Sequence, residues 1–222
     1  MAQPVRLETI DHDSAMDDSA DAVKVIVQAV KTIETELQAI VAVAADAQDT
    51  SSTLALTNMK KVAIFVDHGR DATSAFVGAG TEYRVEVSEK SSGNDTWRPI
   101  ATATAAITAA LGHAMDVEEP AGTTVILIGN TTPVLGDIQF FKNGTIANSE
   151  WGRIIDFSDN TSFTLQDGLT NTQAAITTYS QGEHFVMLLD VSAYTRLRVV
   201  CNNNNGSTNQ NIVWRCAALD QT

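Results

Sequence analysis

Apolar residues recur along this chain at two different periods, and the change comes near residue 50. In "AVKVIVQAVKTIETELQAIVAVAA", residues 22–45, the positions Val23, Ile26, Val30, Ile33, Leu37, Ile40 and Ala44 follow one another at alternating intervals of three and four. Residues so spaced lie on one stripe of a helix. The pattern predicts a helix over 21–48, capped by Ser19 or Asp21, with the quoted stretch about 36 Å long at ~1.5 Å per residue. Val23, Val30, Leu37 and Ala44 take the a positions of a heptad, and Ile26, Ile33 and Ile40 take d. Isoleucine at d favours three or four helices over two, because of how such side chains enter the facing holes. The seven residues are the expected self-association core of a homotrimer. A helix lying on its own β-domain is the alternative. Burial contributes ~1.5–3 kcal/mol per large side chain in either setting and does not separate them. Residues 1–20 read as an extended acidic arm. Its Asp11, Asp13, Asp17 and Asp18 lack the central Gly and terminal Glu of a calcium loop.

Beyond residue 54 the pattern shortens to period two or to brief β-rich runs. "KKVAIFVD" (60–67), "EYRVEVSE" (82–89) and "TWRPIATAT" (96–104) are strand candidates. So are "TTVILIGN" (123–130), "GDIQFFKNG" (136–144), "EWGRIIDFS" (150–158) and "TSFTLQDG" (161–168). "EHFVMLLDV" (183–191), "TRLRVVC" (195–201) and "QNIVWRCAAL" (210–219) complete the set. Tyr83, Val85 and Val87 alternate with Arg84, Glu86 and Ser88, which sends one face inward and the other to water. Short, evenly spaced strands separated by turn residues predict a mainly β chain, an Ig-like or jelly-roll-type sandwich. The Ala/Thr-rich run after 101 and "TQAAITTYSQG" (172–182) have linker character. They suggest a sandwich made from 54–111 and 182–219, with a small barrel-like β-subdomain inserted at 115–180. One continuous larger sandwich is the alternative.

Composition narrows the function classes. The 222 residues carry 14 Lys plus Arg against 27 Asp plus Glu, a formal net charge of −13. Phosphate neutralisation needs clustered cations, so nucleic acid is not an expected partner. An acidic surface does suit a protein kept soluble at high local density. The longest uncharged run of the opening apolar stretch is Leu37–Ala45, well short of the ~18 residues a membrane span requires. The opening residues lack the basic start and apolar run of a signal peptide. Cys201 and Cys216 read as two small buried residues, with a disulfide between them as the alternative.

Candidate chemistry is sparse. His12, His68, His113 and His184 have no metal-ligand spacing, and no nucleotide or nucleophile motif is complete. "GAGTEY" (78–83) reads as a turn running into a strand. "VDHGRDAT" (66–73) gathers Asp67, His68, Arg70 and Asp71 without a nucleophile, and reads as strand-end ion pairing. "CNNNNGSTNQN" (201–211) is a hairpin-type turn, its Asn202, Asn203, Asn204 and Asn205 forming a candidate surface contact loop for a glycan or ion. Trp97, Trp151 and Trp214 fall within strand patterns, as sheet residues would. Neither a catalytic role nor a cofactor or metal is expected.

Three segments carry a resemblance: "VAIFVDHGRDATSAFVGAGTEYRVEVSEKSSGNDTWRPIAT", "GDIQFFKNGTIANSEWGRIIDFSDNTSFTLQDGLTNTQ" and "LLDVSAYTRLRVVCNNNNGSTNQNIVWRCAAL". Together they span most of 60–219 and resemble β-sandwich structural proteins of tailed-bacteriophage particles. The resemblance implies a virion component made in the host cytoplasm, with no catalytic residues to carry over. Within that class the chain resembles capsid decoration (cement) proteins, which implies a trimer on the head surface contacting the major capsid protein. A tail or fibre module that binds a receptor glycan and contacts a tail protein is the second role implied.

Overall fold

The computed structural model describes residues 35–70, 80–93, 96–105, 113–114, 124–126, 134–158, 162–173, 178–206 and 211–221. The strands are β1 (Thr35–Val43), β2 (Gln48–Thr50), β3 (Leu54–Ala55), β4 (Lys61–Arg70), β5 (Thr81–Ser88), β6 (Arg98–Thr104) and β7 (His113–Ala114). They continue with β8 (Thr124–Ile126), β9 (Ile138–Phe141), β10 (Glu150–Ser158), β11 (Ser162–Leu165), β12 (Thr178–Asp190), β13 (Arg196–Asn203) and β14 (Ile212–Asp220). Among the described residues the only helical element is a single 3₁₀ turn at Ile146–Asn148.

Among the described residues every pairing is antiparallel. One sheet runs β1-β14-β4-β12-β9-β10-β11-β8, with β7 also on β12; the other runs β2-β13-β5-β6, with β3 on β13. The core lies between them, built from alternate residues of facing strands. β4 sends in Val62, Ile64 and Val66, and β14 sends in Ile212, Trp214, Cys216 and Ala218. Across from these stand Tyr83, Val85 and Val87 of β5 with Leu197, Val199 and Cys201 of β13. Period-two alternation is what lets one strand supply a layer to this core. On β5 the other face is less open than its polar residues suggest, for Glu86 and Ser88 are also buried. A second, smaller cluster of Phe141, Ile154, Phe163, Leu165 and Leu169 belongs to β9, β10, β11 and the turn that follows.

The predicted helix over 21–48 is overturned where the structure describes it. Thr35–Val43 is strand β1, hydrogen-bonded along β14, and Gln48–Thr50 is β2. Leu37 is buried in the sandwich core, Ile40 is half-buried on β1, and Ala44 is exposed in the turn after it. Val23, Ile26, Val30 and Ile33 lie outside the described residues, as does the arm at 1–20. The coiled-coil seam therefore has no basis over residues 35–44, and the three-fold arrangement argued from it loses that support. Two causes favour the strand. Thr35, Ile40, Val41 and Val43 are β-branched and suit a pleated surface, and β14 needs a neighbour on its outer side. Of the heptad positions described, Leu37, Ile40 and Ala44, Leu37 alone is buried in the core, and the strand's own inward set is different. β1 carries one extra residue between Glu36 and Gln38 and another between Gln38 and Val41, relative to β14. These bulges break the period of two: Leu37, Val41 and Val43 meet the core while Ala39 is exposed.

Candidate functional site

The outer face of the larger sheet, away from the sandwich core, gathers most of the chemistry. It begins with two glycines. Gly69 of β4 and Gly182 of β12 stand directly opposite each other in the ladder. A Cβ on Gly69 would lie 2.4 Å from Phe140 Cγ, and one on Gly182 would lie 2.8 Å from Trp151 Cδ1. The pair of missing side chains forms a seat on which Phe140 of β9 and Trp151 of β10 rest. Their rings are tilted against each other at 5.0 Å between centroids. Trp151 Nε1 donates to the His68 carbonyl at 2.9 Å, which fixes the indole across the strand.

Next to this seat three residues stand side by side on adjacent strands: His184 on β12, Asp67 on β4 and Arg215 on β14. His184 Nδ1 lies 2.5 Å from Asp67 Oδ1, and Arg215 Nε donates to Asp67 Oδ2. The Arg215 guanidinium also lies over the Trp151 ring, 5.2 Å from its centre. Burial alone would push the Asp67 carboxyl up; the His184 and Arg215 hydrogen bonds and charges outweigh it and hold the group below its ordinary range. An ionised carboxylate only accepts, so the proton of this pair sits on His184 Nδ1. Both Asp67 oxygens are thus occupied in tying three strands together. The "VDHGRDAT" cluster divides accordingly. Asp67 faces out into this triad, while His68 faces the core and shares a 2.5 Å hydrogen bond with the Tyr83 hydroxyl. The Arg70 side chain and Asp71 lie outside the described residues.

Further along the same face, Val186 and Leu188 of β12 are 59% and 74% exposed. Their ladder partners on β4 are Phe65 and Ala63, and the row ends at Asp190 opposite Lys61. β12 between His184 and Asp190 has no fully buried position: its outward residues are exposed, and inward Phe185, Met187 and Leu189 are only half-buried against the core. Val134, Leu135 and Ile155 are further exposed large apolar side chains, on the turn before β9 and on β10. Exposed apolar rows of this kind mark surfaces that meet other macromolecules.

The asparagine loop is built inward. Asn203 and Asn205 are buried, at 0% and 1% exposure, so neither presents its amide to a ligand. Asn203 Nδ2 donates to the carbonyls of Val43 and Ala44 at 3.2 and 3.0 Å, and its Oδ1 accepts from Asn205 Nδ2 at 2.6 Å. The Asn203 and Asp46 backbone N–H groups donate to the carbonyls of Ala47 and Asn205. These bonds hold the turn at Ala44–Ala47, where the chain passes from one sheet to the other and Asp46 adopts a φ of 53°. Asn202 and Asn204 are half-buried and bond to each other at 2.6 Å. Cys201 and Cys216 are both free and buried, and burial raises both thiols, Cys216 to about 12.

Trp214 is core and donates to Asp49 Oδ2 at 3.0 Å, whereas Trp97 lies under two guanidinium groups, of Arg196 at 4.7 Å and Arg198 at 4.3 Å. His12 lies outside the described residues and His113 is in β7. Among the described residues no group of three or more His, Cys, Asp or Glu side chains is placed to hold a metal ion, and no helix is long and apolar enough to cross a membrane. Sequence reasoning missed His184, Arg215, Val186 and Leu188. The signal for the last two was present: Phe185–Leu189 is five apolar residues in succession, which leaves β12 apolar on both faces. The chain matches no protein-family model, no curated protein and no solved structure.

Proposed function

We propose that this chain is a non-enzymatic structural protein of a tailed-bacteriophage particle, acting as a decoration protein on the capsid surface. The observation that carries the reading is the row of exposed apolar side chains on a charged sheet face, Val186 and Leu188 beside the His184–Asp67–Arg215 triad. A surface of this kind binds protein, with apolar residues for contact and ionic groups for register. The likeness of three long segments to phage sandwich proteins supports the same reading. So does the net charge of −13, which keeps subunits soluble at the density a shell imposes. The major capsid protein is the proposed partner. The tail-adhesin role drew on Asn202–Asn205 as a glycan contact, and the inward bonding of Asn203 and Asn205 removes that motive.

The test is addition of purified chain to assembled capsids that lack it, followed by sedimentation and imaging of the particles. Saturable binding distributed over the head, with capsids made more resistant to heat, is the expected result. Absence of binding to capsids, or label confined to the tail, would overturn the reading.

A further inference from the structure

Among the described residues β12 is an edge strand along part of its length. Its ladder with β4 covers Gly182–Asp190, whereas β9 and β7 pair only with Thr178–Gly182. Among the described residues nothing pairs with 184–190 on the side away from β4. An open edge with apolar residues on both faces is a template for another strand. The sequence of this edge selects its occupant. We propose that a second copy of the chain pairs there, β12 against β12 in antiparallel fashion, about a two-fold axis through Met187.

Register decides the pairing. An antiparallel pair related by a two-fold axis normal to the sheet keeps the outward face of one copy beside the outward face of the other. Centred on Met187, it sets Val186 opposite Leu188 of the second copy, and Leu188 opposite its Val186. His184 falls opposite Asp190, and Asp190 opposite His184, so polar side chains meet polar ones at both ends. On the inner face Phe185 meets Leu189, and Met187 meets itself, so the half-buried rims of two sandwich cores become one. Neighbouring registers are poorer. A centre at Val186 sets His184 against Leu188, and a centre at Leu188 sets Val186 against Asp190. Cross-strand pairs of like kind stabilise a sheet and mismatched ones do not. The pairing draws on the same β12 row as the capsid reading, but its test needs no capsid, so either can fail without the other.

The full chain is measured by sedimentation velocity and light scattering across a concentration series into the high micromolar range. A dimer is expected. Leu188→Lys changes a side chain that is 74% exposed, so the fold is retained, and it sets a charge against Val186 of the second copy. It should weaken the dimer by at least about tenfold, because a charge replaces apolar packing at each of two symmetric sites. Met187→Cys reads the register directly. Opposed residues of antiparallel strands have Cα atoms ~4.5–5.5 Å apart, within disulfide range, so mild oxidation should yield a covalent dimer. Val186→Cys sits diagonally to itself and should cross-link far less. Cys201 and Cys216 are buried and do not interfere. A monomer throughout the series, a trimer, a dimer indifferent to Leu188→Lys, or equal cross-linking at 186 and 187 would each overturn the proposal.

Discussion

Gly69→Ala should be costly for a reason visible only in three dimensions. The added Cβ would lie 2.4, 2.6 and 2.8 Å from Cγ, Cδ2 and Cδ1 of Phe140. All three are too close for non-bonded carbon, and the nearest, Cγ, is the base of the ring, which no rotation about the last torsion moves aside. Phe140 is fully buried and packs on Trp151, so it cannot swing into solvent without giving up that packing. Overpacking of this kind costs ~1–3 kcal/mol. In a chain of this size that corresponds to a fall of roughly 2–4 °C in Tm per kcal/mol. Gly144→Ala is the control, because a Cβ there meets nothing within 4 Å. Urea unfolding followed by tryptophan fluorescence, to which Trp97, Trp151 and Trp214 all contribute, measures both variants. The diagnostic step is the double variant with Phe140→Ala. Removing the ring together with its Cγ should relieve the clash, so the two changes together should cost less than their sum by ~1 kcal/mol or more. A Gly69→Ala protein as stable as the parent, or strict additivity with Phe140→Ala, would refute the seat as described.

Three other outcomes are expected. Asn203→Ala strips the Val43 and Ala44 carbonyls of a buried donor and Asn205 of its acceptor; a loss of ~1–3 kcal/mol is expected, with amide exchange around 44–47 rising first. Asp67 has its carboxyl held below the ordinary 3.8, so its contribution to stability is full above that pH and is lost as pH falls through the lower folded-state value. Asp67→Asn should therefore be less stable than the parent near neutrality, and the gap should narrow in acid titrations below pH 3.8. Cys201 and Cys216 should resist a thiol reagent at pH 8 in the native protein and react fully in denaturant, because both are buried and raised, Cys216 to about 12.

Strands were legible wherever alternation was undisturbed. In β5 the inward set Tyr83, Val85 and Val87 is written directly in the order of residues, and each is fully buried. β1 was illegible because its two bulges interrupt the period of two, leaving Ala39 exposed between inward Leu37 and Val41, so no clean alternation competed with the 3–4 spacing. Bulges depend on the partner strand, here β14, which lies far along the chain. The triad was half legible: "VDHGRD" announced an ion-paired cluster at Asp67, but His184 and Arg215 reach it only through the order β12-β4-β14. The Gly69–Gly182 seat could not be read at all, since neither glycine lies in a turn and both are explained by rings contributed by β9 and β10. Asn203 and Asn205 looked like turn residues with amides to spare. The Asn203 amide and Asn205 Nδ2 are engaged because the turn that needs them belongs to another part of the chain.

The irregular strand β1 has a consequence at the level of assembly. Among the described residues it is the last strand at one end of the larger sheet, and its bulges leave an uneven row of backbone groups on which another regular strand registers poorly. Glu36 and Gln38 stand on this strand as well. Growth by strand addition is thus discouraged at β1, so a pairing made through β12 would not be carried on from this margin into a fibre.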